Sequence, residues 1–414
     1  MTILSSVDFV EEVLAFSQFG QPTQTEEYHW EAAGRQGSVL KATNEYWTSG
    51  QRQAHSLHEI SYRACYKPQL PRFFIERLTE PGDAVYDPFM GRGTTLLEAW
   101  LLKRRPLGND INPLSGVLLE PRINPPTLDA VAQRLDSIDL GKAGAEAVKE
   151  NRELKVFYHP NTLRQIIALK EYLLKREEEG ELDQVDRWIR MVAINRLTGH
   201  STGFFSVYSM PPNQAVSVAS QRRINERREQ TPEERDIVPR ILKKTSSLLR
   251  DYLGSPLTDH GQLLSALLTT DEASDVTGIE AGSAQLVVTS PPFLDVVNYQ
   301  ADNWLRCWFI GLDSSEIGIS QLRNVDDWVA AMTAVMRDLR RIVTPGGHGA
   351  FEVGEVRGGK LLLEELVLPA GVEAGLDPVI IMINAQEFTK TANTWGVDNQ
   401  KKGTNTNRIV VFQR

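Results

Sequence analysis

The segment from Ala84 to Asp110 constrains this chain most. Ala84-Val85-Tyr86 is a short apolar run that follows the turn-forming Pro81-Gly82-Asp83. It ends on an acid, and Asp87-Pro88-Phe89-Met90-Gly91-Arg92-Gly93-Thr94-Thr95 then reads as a glycine-containing loop. From Thr94 to Lys103, Leu96, Leu97, Trp100 and Leu101 fall near one face of a helix. Pro106 to Gly108 leads to Asn109-Asp110, and Asn112-Pro113 closes the segment. Strand, loop, helix and strand in this order open a doubly wound α/β sheet. The third glycine of the dinucleotide fingerprint is missing, and no Gly-Lys-Ser/Thr follows. Neither a nicotinamide site nor a P-loop fits.

The rest of the chain places this unit. A helix is expected over Pro71 to Leu78, with proline in its first turn. Further strands are expected at Ser265 to Leu268, ending at Asp271, at Ala284 to Thr289, Gly349 to Val353, Val379 to Ile383 and Arg408 to Phe412. Asp326 to Arg341 is an amphipathic helix, and Pro345-Gly346-Gly347 a turn. Between the two halves the pattern changes. Pro121 to Pro126 marks a boundary, and residues from about 127 to 260 read as helical, with amphipathic stretches at Leu163 to Leu174 and Val185 to Leu197. The first fifty residues read as a short helix, Val7 to Phe16, followed by polar loop. The expected fold is α/β, a doubly wound, mostly parallel, Rossmann-like sheet interrupted by a mainly helical insertion. Residues 1–54 form an extension, 55–124 and 261–414 the α/β domain, and 125–260 the insertion.

Composition narrows the class. The chain has 414 residues, a formal net charge of −9 and a pI of about 5.5, which argues against a uniformly basic coat for nucleic acid. Arg222, Arg223, Arg227, Arg228, Arg235, Arg240 and Arg250 nevertheless make one stretch locally basic. The two cysteines, Cys65 and Cys307, form no disulfide framework and no zinc pair. Met1 to Phe16 carries Asp8, Glu11 and Glu12 and lacks the basic start of a signal peptide. No apolar run reaches the ~18 residues of a membrane span. A soluble, cytoplasmic protein is expected, with no membrane partner and, for want of clustered ligands around His55 and His58, no metal.

Three constellations carry chemistry. The loop after Asp87 lets backbone approach a ligand, through Gly91 and Gly93, beside an acid. Asp110 lies 23 positions after Asp87, near the ~20-residue spacing at which a second-strand acid binds ribose hydroxyls. Thr289-Ser290-Pro291-Pro292-Phe293 follows the apolar Leu286-Val287-Val288. Its prolines fix a rigid loop at the carboxyl end of a strand, where such sheets bind ligands. A similar double proline at Ser209-Met210-Pro211-Pro212-Asn213 lies in the helical segment without a following aromatic, and is given no chemical role.

Taken together, Asp-Pro-Phe-x-Gly-x-Gly-Thr-Thr, Gly-x-Asp-Ile-Asn-Pro and Thr-Ser-Pro-Pro-Phe resemble the S-adenosylmethionine-dependent amino DNA methyltransferases, in the Ser-Pro-Pro form of the N4-cytosine type. The resemblance covers residues ~55–115 and ~263–414. It implies a site-specific enzyme that moves a methyl group from S-adenosylmethionine to the N4 amine of a flipped-out cytosine, leaving S-adenosylhomocysteine. N6-adenine methylation is the alternative, and an RNA methyltransferase or an inactive nucleic-acid-binding protein a more distant one. The implied cofactor residues are Asp87, Pro88, Phe89, Gly91, Gly93 and Thr94, Asp110 and Ile111 for ribose and adenine, Asp271 for the adenine amine, and Tyr62 with His58 and Pro68 in the preceding motif. The implied catalytic set is Ser290, Pro291, Pro292 and Phe293, with Phe293 stacking on the extruded base. Duplex DNA is the implied partner, in a prokaryotic cell and with a cognate restriction endonuclease as a companion. The insertion offers Arg222, Arg223, Arg227, Arg228 and Tyr208 for DNA contact. In Gly199 to Tyr208, aromatics and hydroxyls are mixed in a way suited to bases. A donor-rich tail segment, Thr389 to Gly396 with Lys401 to Asn405, is a second contact loop on a minority reading.

Overall fold

A computed structural model describes residues 3–48, 54–63, 65–211, 214–255, 265–292, 294, 299–318, 322, 324–356, 361–385 and 406–414. The chain begins with helix α1 (Ser6–Ala15), capped by the Ser5 hydroxyl. The next segment is not the expected loop. Strands β1 (Gln24–Ala32) and β2 (Arg35–Asn44) form an antiparallel hairpin. The β1 side chains that mislead are the exposed charged ones, because β1 is an edge strand with little to bury.

Helix α2 (Gln69–Leu78) leads into β3 (Ala84–Asp87), α3 (Thr94–Leu101), β4 (Arg105–Asn109) and α4 (Leu114–Leu119), the unit anticipated from sequence. Helices α5 (Leu128–Ser137), α6 (Ala145–Glu150), α7 (Pro160–Glu178), α8 (Gln184–Ile194), α9 (Val218–Arg227) and α10 (Ile237–Leu249) come next. The α/β alternation resumes with β5 (Leu267–Thr269), β6 (Ala284–Thr289), α11 (Tyr299–Phe309), α12 (Val325–Ile342) and β7 (Val343–Val353). A small pair, β8 (Glu355–Val356) and β9 (Leu361–Leu362), precedes α13 (Glu364–Glu373), β10 (Asp377–Ala385) and β11 (Thr406–Gln413).

Among the described residues, nine strands form one sheet in the order β1-β2-β10-β11-β7-β6-β3-β4-β5. From β7 to β5 all neighbours are parallel, and β11 runs antiparallel between β7 and β10. The chain winds outward from β3 in both directions, so the switch point lies between β3 and β6. The doubly wound α/β expectation is borne out. Pro345-Gly346-Gly347 does not precede the strand, as expected, but forms a bulge within β7. Pairing with β6 jumps there from Ala284–Val343 to Leu286–His348.

Both sheet faces are covered. Tyr86, Val287, Phe351 and Val410 pack on α12 and α13, while Val85, Val288, Ala350 and Ile409 pack on α1 and α2. This period of two explains why the central strands read as unbroken apolar runs. Helices α5, α7, α8 and α10 share one continuous core with Leu96, Leu97 and Trp100 of α3 and Leu118 of α4. Helices α5, α7, α8 and α10 are therefore packed onto the sheet's own helices. Among the described residues, no helix is long and apolar enough to cross a membrane.

Candidate active site

The switch point brings two loops together. Asp87 ends β3 and Thr289 ends β6, and the Thr289 hydroxyl donates to Asp87 Oδ1 at 2.6 Å. The Tyr66 hydroxyl donates to Asp87 Oδ2 at 3.1 Å and contacts Thr95 Oγ1, which in turn donates to the Val288 carbonyl at 3.0 Å. The Phe89 amide completes the set at 3.1 Å. Burial pushes the Asp87 carboxyl up to about 6, against the pull of these donors. Asp87 thus ties the two loops to each other. Tyr66, which sequence reasoning missed, adds a second link by bridging Asp87 and Thr95.

The glycine loop is held by its own backbone and by Asp110. Gly93 caps α3 at φ +75°, and a Cβ there would lie 2.7 Å from Leu119. A non-glycine residue would meet both strain and a clash. Asp110, just past β4, accepts the Gly91 amide at 2.8 Å and the Asn112 amide at 2.9 Å through different oxygens. Burial raises its carboxyl above the usual range. A carboxylate offers about four acceptor directions, so these two amides, with the Ser115 side chain as a further donor, do not exhaust it.

These loops border a cavity of about 190 Å³. Of the residues singled out from sequence, Tyr62, Pro88, Phe89, Gly91, Thr94, Asp110, Ile111, Ser290 and Pro292 line it. Asp87, Gly93, Pro291 and Asp271 do not. The Asp271 carboxylate folds back onto its own loop instead: its Oδ2 accepts the Thr277 amide at 3.1 Å, and Asn109 grips its backbone on both sides. The acid that faces the cavity from this loop is Glu272. The far wall comes from α12, with Trp328, Met332 and Val335. The Trp328 indole donates to the Pro292 carbonyl at 3.1 Å, which fixes the double-proline loop. Phe293 lies outside the described residues, as does the donor-rich tail segment.

His58 does not reach the cavity. It is buried and bonded to Glu98 of α3 at 2.7 Å, and burial lowers its imidazole to about 4. Its segment is locked by arginines that sequence reasoning also missed. Arg92 donates to the Ile60 carbonyl at 3.0 Å. Fully buried Arg122 donates to the carbonyls of Leu118, Leu57 and Arg92. From the insertion, Asn195 Oδ1 accepts the Ser61 amide at 3.1 Å and Arg250 pairs with Glu59 at 3.0 Å. Tyr62 is thereby positioned from both sides.

The insertion presents Arg222, Arg223, Arg227 and Arg228 on or beside α9, all exposed. The Arg228 guanidinium stacks 3.8 Å over the Tyr208 ring. The expectation for Gly199 to Tyr208 needs correcting in part. Phe204, Phe205 and Val207 are buried, and the Phe204 ring sits where a Cβ on Gly199 would be, 2.4 Å away. These aromatics fill the core, which demands large apolar volume. Among the described residues, no group of three or more His, Cys, Asp or Glu could hold a metal ion.

Comparison with known proteins places part of this chain. The DNA methylase family of N6 and N4 methyltransferases matches residues 10–114, a span that includes the glycine loop and Asp110. The resemblance read from the motifs is borne out over that span. Type II methyltransferase M.MjaII of Methanocaldococcus jannaschii is 33% identical over 72 residues, 17% of this chain and 13% of that protein. Type II methyltransferase M.MvaI of Kocuria varians is 27% identical over 132 residues, 31% of this chain and 25% of that protein. Type II methyltransferase M.BsoBI of Geobacillus stearothermophilus is 38% identical over 69 residues, 16% of this chain and 14% of that protein. The chain thus spans a quarter or less of the length of these curated relatives.

Proposed function

We propose that this chain is a DNA methyltransferase that methylates an exocyclic base amine, the N4 amine of cytosine, with S-adenosylmethionine as donor. The observation that supports this most is the meeting of Asp110, Gly91 and Ser290 around one cavity at the sheet's switch point.

The residues present fit that cofactor. Asp110 has acceptor capacity for a ribose diol. Phe89 and Ile111 offer apolar wall to a purine, and Glu272 faces the cavity in place of the Asp271 carboxylate. Asp87 acts at one remove, by fixing the glycine loop against Thr289. When bound, S-adenosylmethionine supplies an electrophilic methyl group, and no covalent nucleophile from the protein is needed.

The protein's work is orientation. An exocyclic amine is a weak nucleophile because its lone pair is delocalised into the ring. Ser290 Oγ and the carbonyl of the Pro291 peptide can accept its two hydrogens, which favours a more tetrahedral nitrogen. The Pro292 carbonyl already accepts from Trp328 and is assigned to holding the loop. Because the target amine is stacked inside a duplex, the base must be extruded, and Phe293 is assigned to stack on it. Arg222, Arg223, Arg227 and Arg228 are assigned to the phosphate backbone, with Tyr208 beneath Arg228 as their support.

Serine before the double proline supports cytosine over adenine. The test is to incubate the protein with labelled S-adenosylmethionine and duplex DNA, then digest to nucleosides. Label in N4-methylcytosine is expected; label in N6-methyladenine overturns the cytosine assignment. The Type II designation of the relatives makes a companion restriction endonuclease part of the proposal, checked by testing host DNA for resistance to cleavage at the modified site.

A further inference from the structure

Glu352 stands at the ligand-binding edge of the sheet, yet it neither lines the cavity nor belongs to any of the three motifs. It is 5% exposed, at the carboxyl end of β7. Thr289 of β6 pairs with Phe351 of β7, so Ser290 comes level with Glu352. Strand alternation turns both toward the face that carries Val288 and Ala350. This register sets the Ser290 hydroxyl beside the Glu352 carboxyl group, where it favours the charged form. From the other flank, Asn407 of β11 donates its Nδ2 to Glu352 Oε1 at 3.0 Å. An ionised carboxylate can only accept, so both neighbours act as donors to it.

We infer that Glu352 is a positioning residue for Ser290: its carboxylate accepts a hydrogen bond from the Ser290 hydroxyl, which leaves the lone pairs of Oγ for the hydrogens of an incoming amine. This rests on the proposed amine methylation. A serine hydroxyl has one proton and two acceptor directions, and its rotor is otherwise free. A charge-assisted bond to a buried carboxylate sets that rotor firmly. A protonated Glu352 would donate to Oγ instead, filling an acceptor direction and turning the hydroxyl proton toward the amine. The ionised form is therefore the competent one.

The surroundings set where that change falls. Burial pushes the Glu352 carboxyl up to about 7, and the bonds from Asn407 and Ser290 oppose the rise. On β7 itself, His348 lies four residues back and bonds Ser6 of α1 at 2.8 Å. On β11, Arg408 alternates to the opposite face and pairs with Glu364 of α13. On β10, Asn384 is uncharged and accepts the Tyr46 and Trp47 amides. On β3, Asp87 is engaged by Thr289. The described groups that touch Glu352 are thus neutral donors.

The test compares the full chain with Glu352→Gln in single-turnover methylation of duplex DNA from about pH 5.5 to about 8.5. The wild-type rate should rise through a limb near pH 7. Glu352→Gln should be ~10-fold or more slower above the limb and lack the limb, with unchanged affinity for S-adenosylmethionine. A variant that keeps both rate and limb overturns the inference alone. A wild-type protein that binds the cofactor but methylates no DNA base overturns the proposed amine methylation, and the positioning role with it. A readout independent of turnover is the carbon NMR titration of the Glu352 carboxyl in the protein alone. Ser290→Ala should shift that titration upward, because it removes a donor to the charged form; no shift overturns the contact. Should Glu352→Gln fail to fold, Asn407→Ala decides. It should move the activity limb to higher pH, and an unmoved limb overturns the inference.

Discussion

At the scale of single residues, the site depends on backbone that few side chains tolerate. Gly93 combines a left-handed φ of +75° with Leu119 only 2.7 Å from a would-be Cβ. Gly93→Ala should destabilise the chain by ~2–3 kcal/mol through strain and overpacking. Gly116, in α4 with nothing within 4 Å of its Cβ position, is the control. Gly116→Ala should be neutral or stabilising by ~0.5–1 kcal/mol. Urea midpoints for the two variants measure the contrast, and equal losses would contradict it. Asp110 makes the second case. Its two oxygens each hold a loop amide, and an asparagine keeps only one acceptor oxygen. Asp110→Asn should therefore loosen the glycine loop and weaken S-adenosylmethionine binding ~10-fold or more, read by equilibrium dialysis.

At the scale of elements, what matters is how segments distant in sequence are clamped. Arg122 lies just after α4 and reaches three carbonyls, those of Leu118, Leu57 and Arg92. Its burial lowers the guanidinium to about 9, with Arg92 nearby adding to the effect. Arg122→Met keeps the apolar stem but strands those carbonyls, at a cost of ~2–5 kcal/mol. Because Tyr62 lies on the clamped segment, the thermal midpoint and cofactor affinity should fall together; a stable variant with normal affinity would show the clamp to be dispensable. Helix α9 is different in kind. It buries only Gln221 and spends its surface on charge, with Glu226 among the arginines. Replacing Arg222, Arg223, Arg227 and Arg228 with glutamine should weaken DNA binding and flatten its dependence on salt, by ~0.9 in the log–log slope for each lost phosphate contact. An unchanged slope would return α9 to the role of a solvated surface helix.

At the scale of the whole molecule, the sheet buries a carboxyl group and so ties stability to pH. Glu352 titrates near 7 when folded, above its ordinary range. A carboxyl raised in this way contributes stability fully below the unfolded value, and that contribution is lost as pH rises through the folded value. Glu352→Gln, neutral at every pH, should gain on the wild type above pH 7 by at most ~3 kcal/mol and lose that advantage near pH 4. Urea unfolding across this range measures it, and a constant difference would show that Glu352 is not desolvated. The net charge of −9 fits a molecule whose cationic α9 face is local and whose acidity is spread elsewhere.

Much of this architecture could be read from the sequence because it is local physics. Glycine and proline dictate turns by steric and hydrogen-bonding limits that hold in any context. Apolar runs and helical stripes identify what must be buried, and β3 to β6, the second half of β7, β10 and β11 appeared where such runs predicted them, whereas the two-residue β8 and β9 were too short to leave a pattern. The β1–β2 hairpin stayed hidden because an edge strand has little to bury and so carries a weak apolar pattern. The meeting of loops was also beyond sequence. That Asp87 reaches Thr289, that Asp271 turns into its own loop while Glu272 faces the cavity, and that Phe204 and Phe205 fill a core are matters of which neighbours arrive in space. Glu352 shows this most plainly: in sequence it is a charged residue in an apolar strand, and only strand register makes it the partner of Ser290. The chain determined its turns and buried faces because those depend on adjacent residues. The tertiary structure decided the partners of its polar groups, because hydrogen bonds are short and the residues that make them are far apart along the chain.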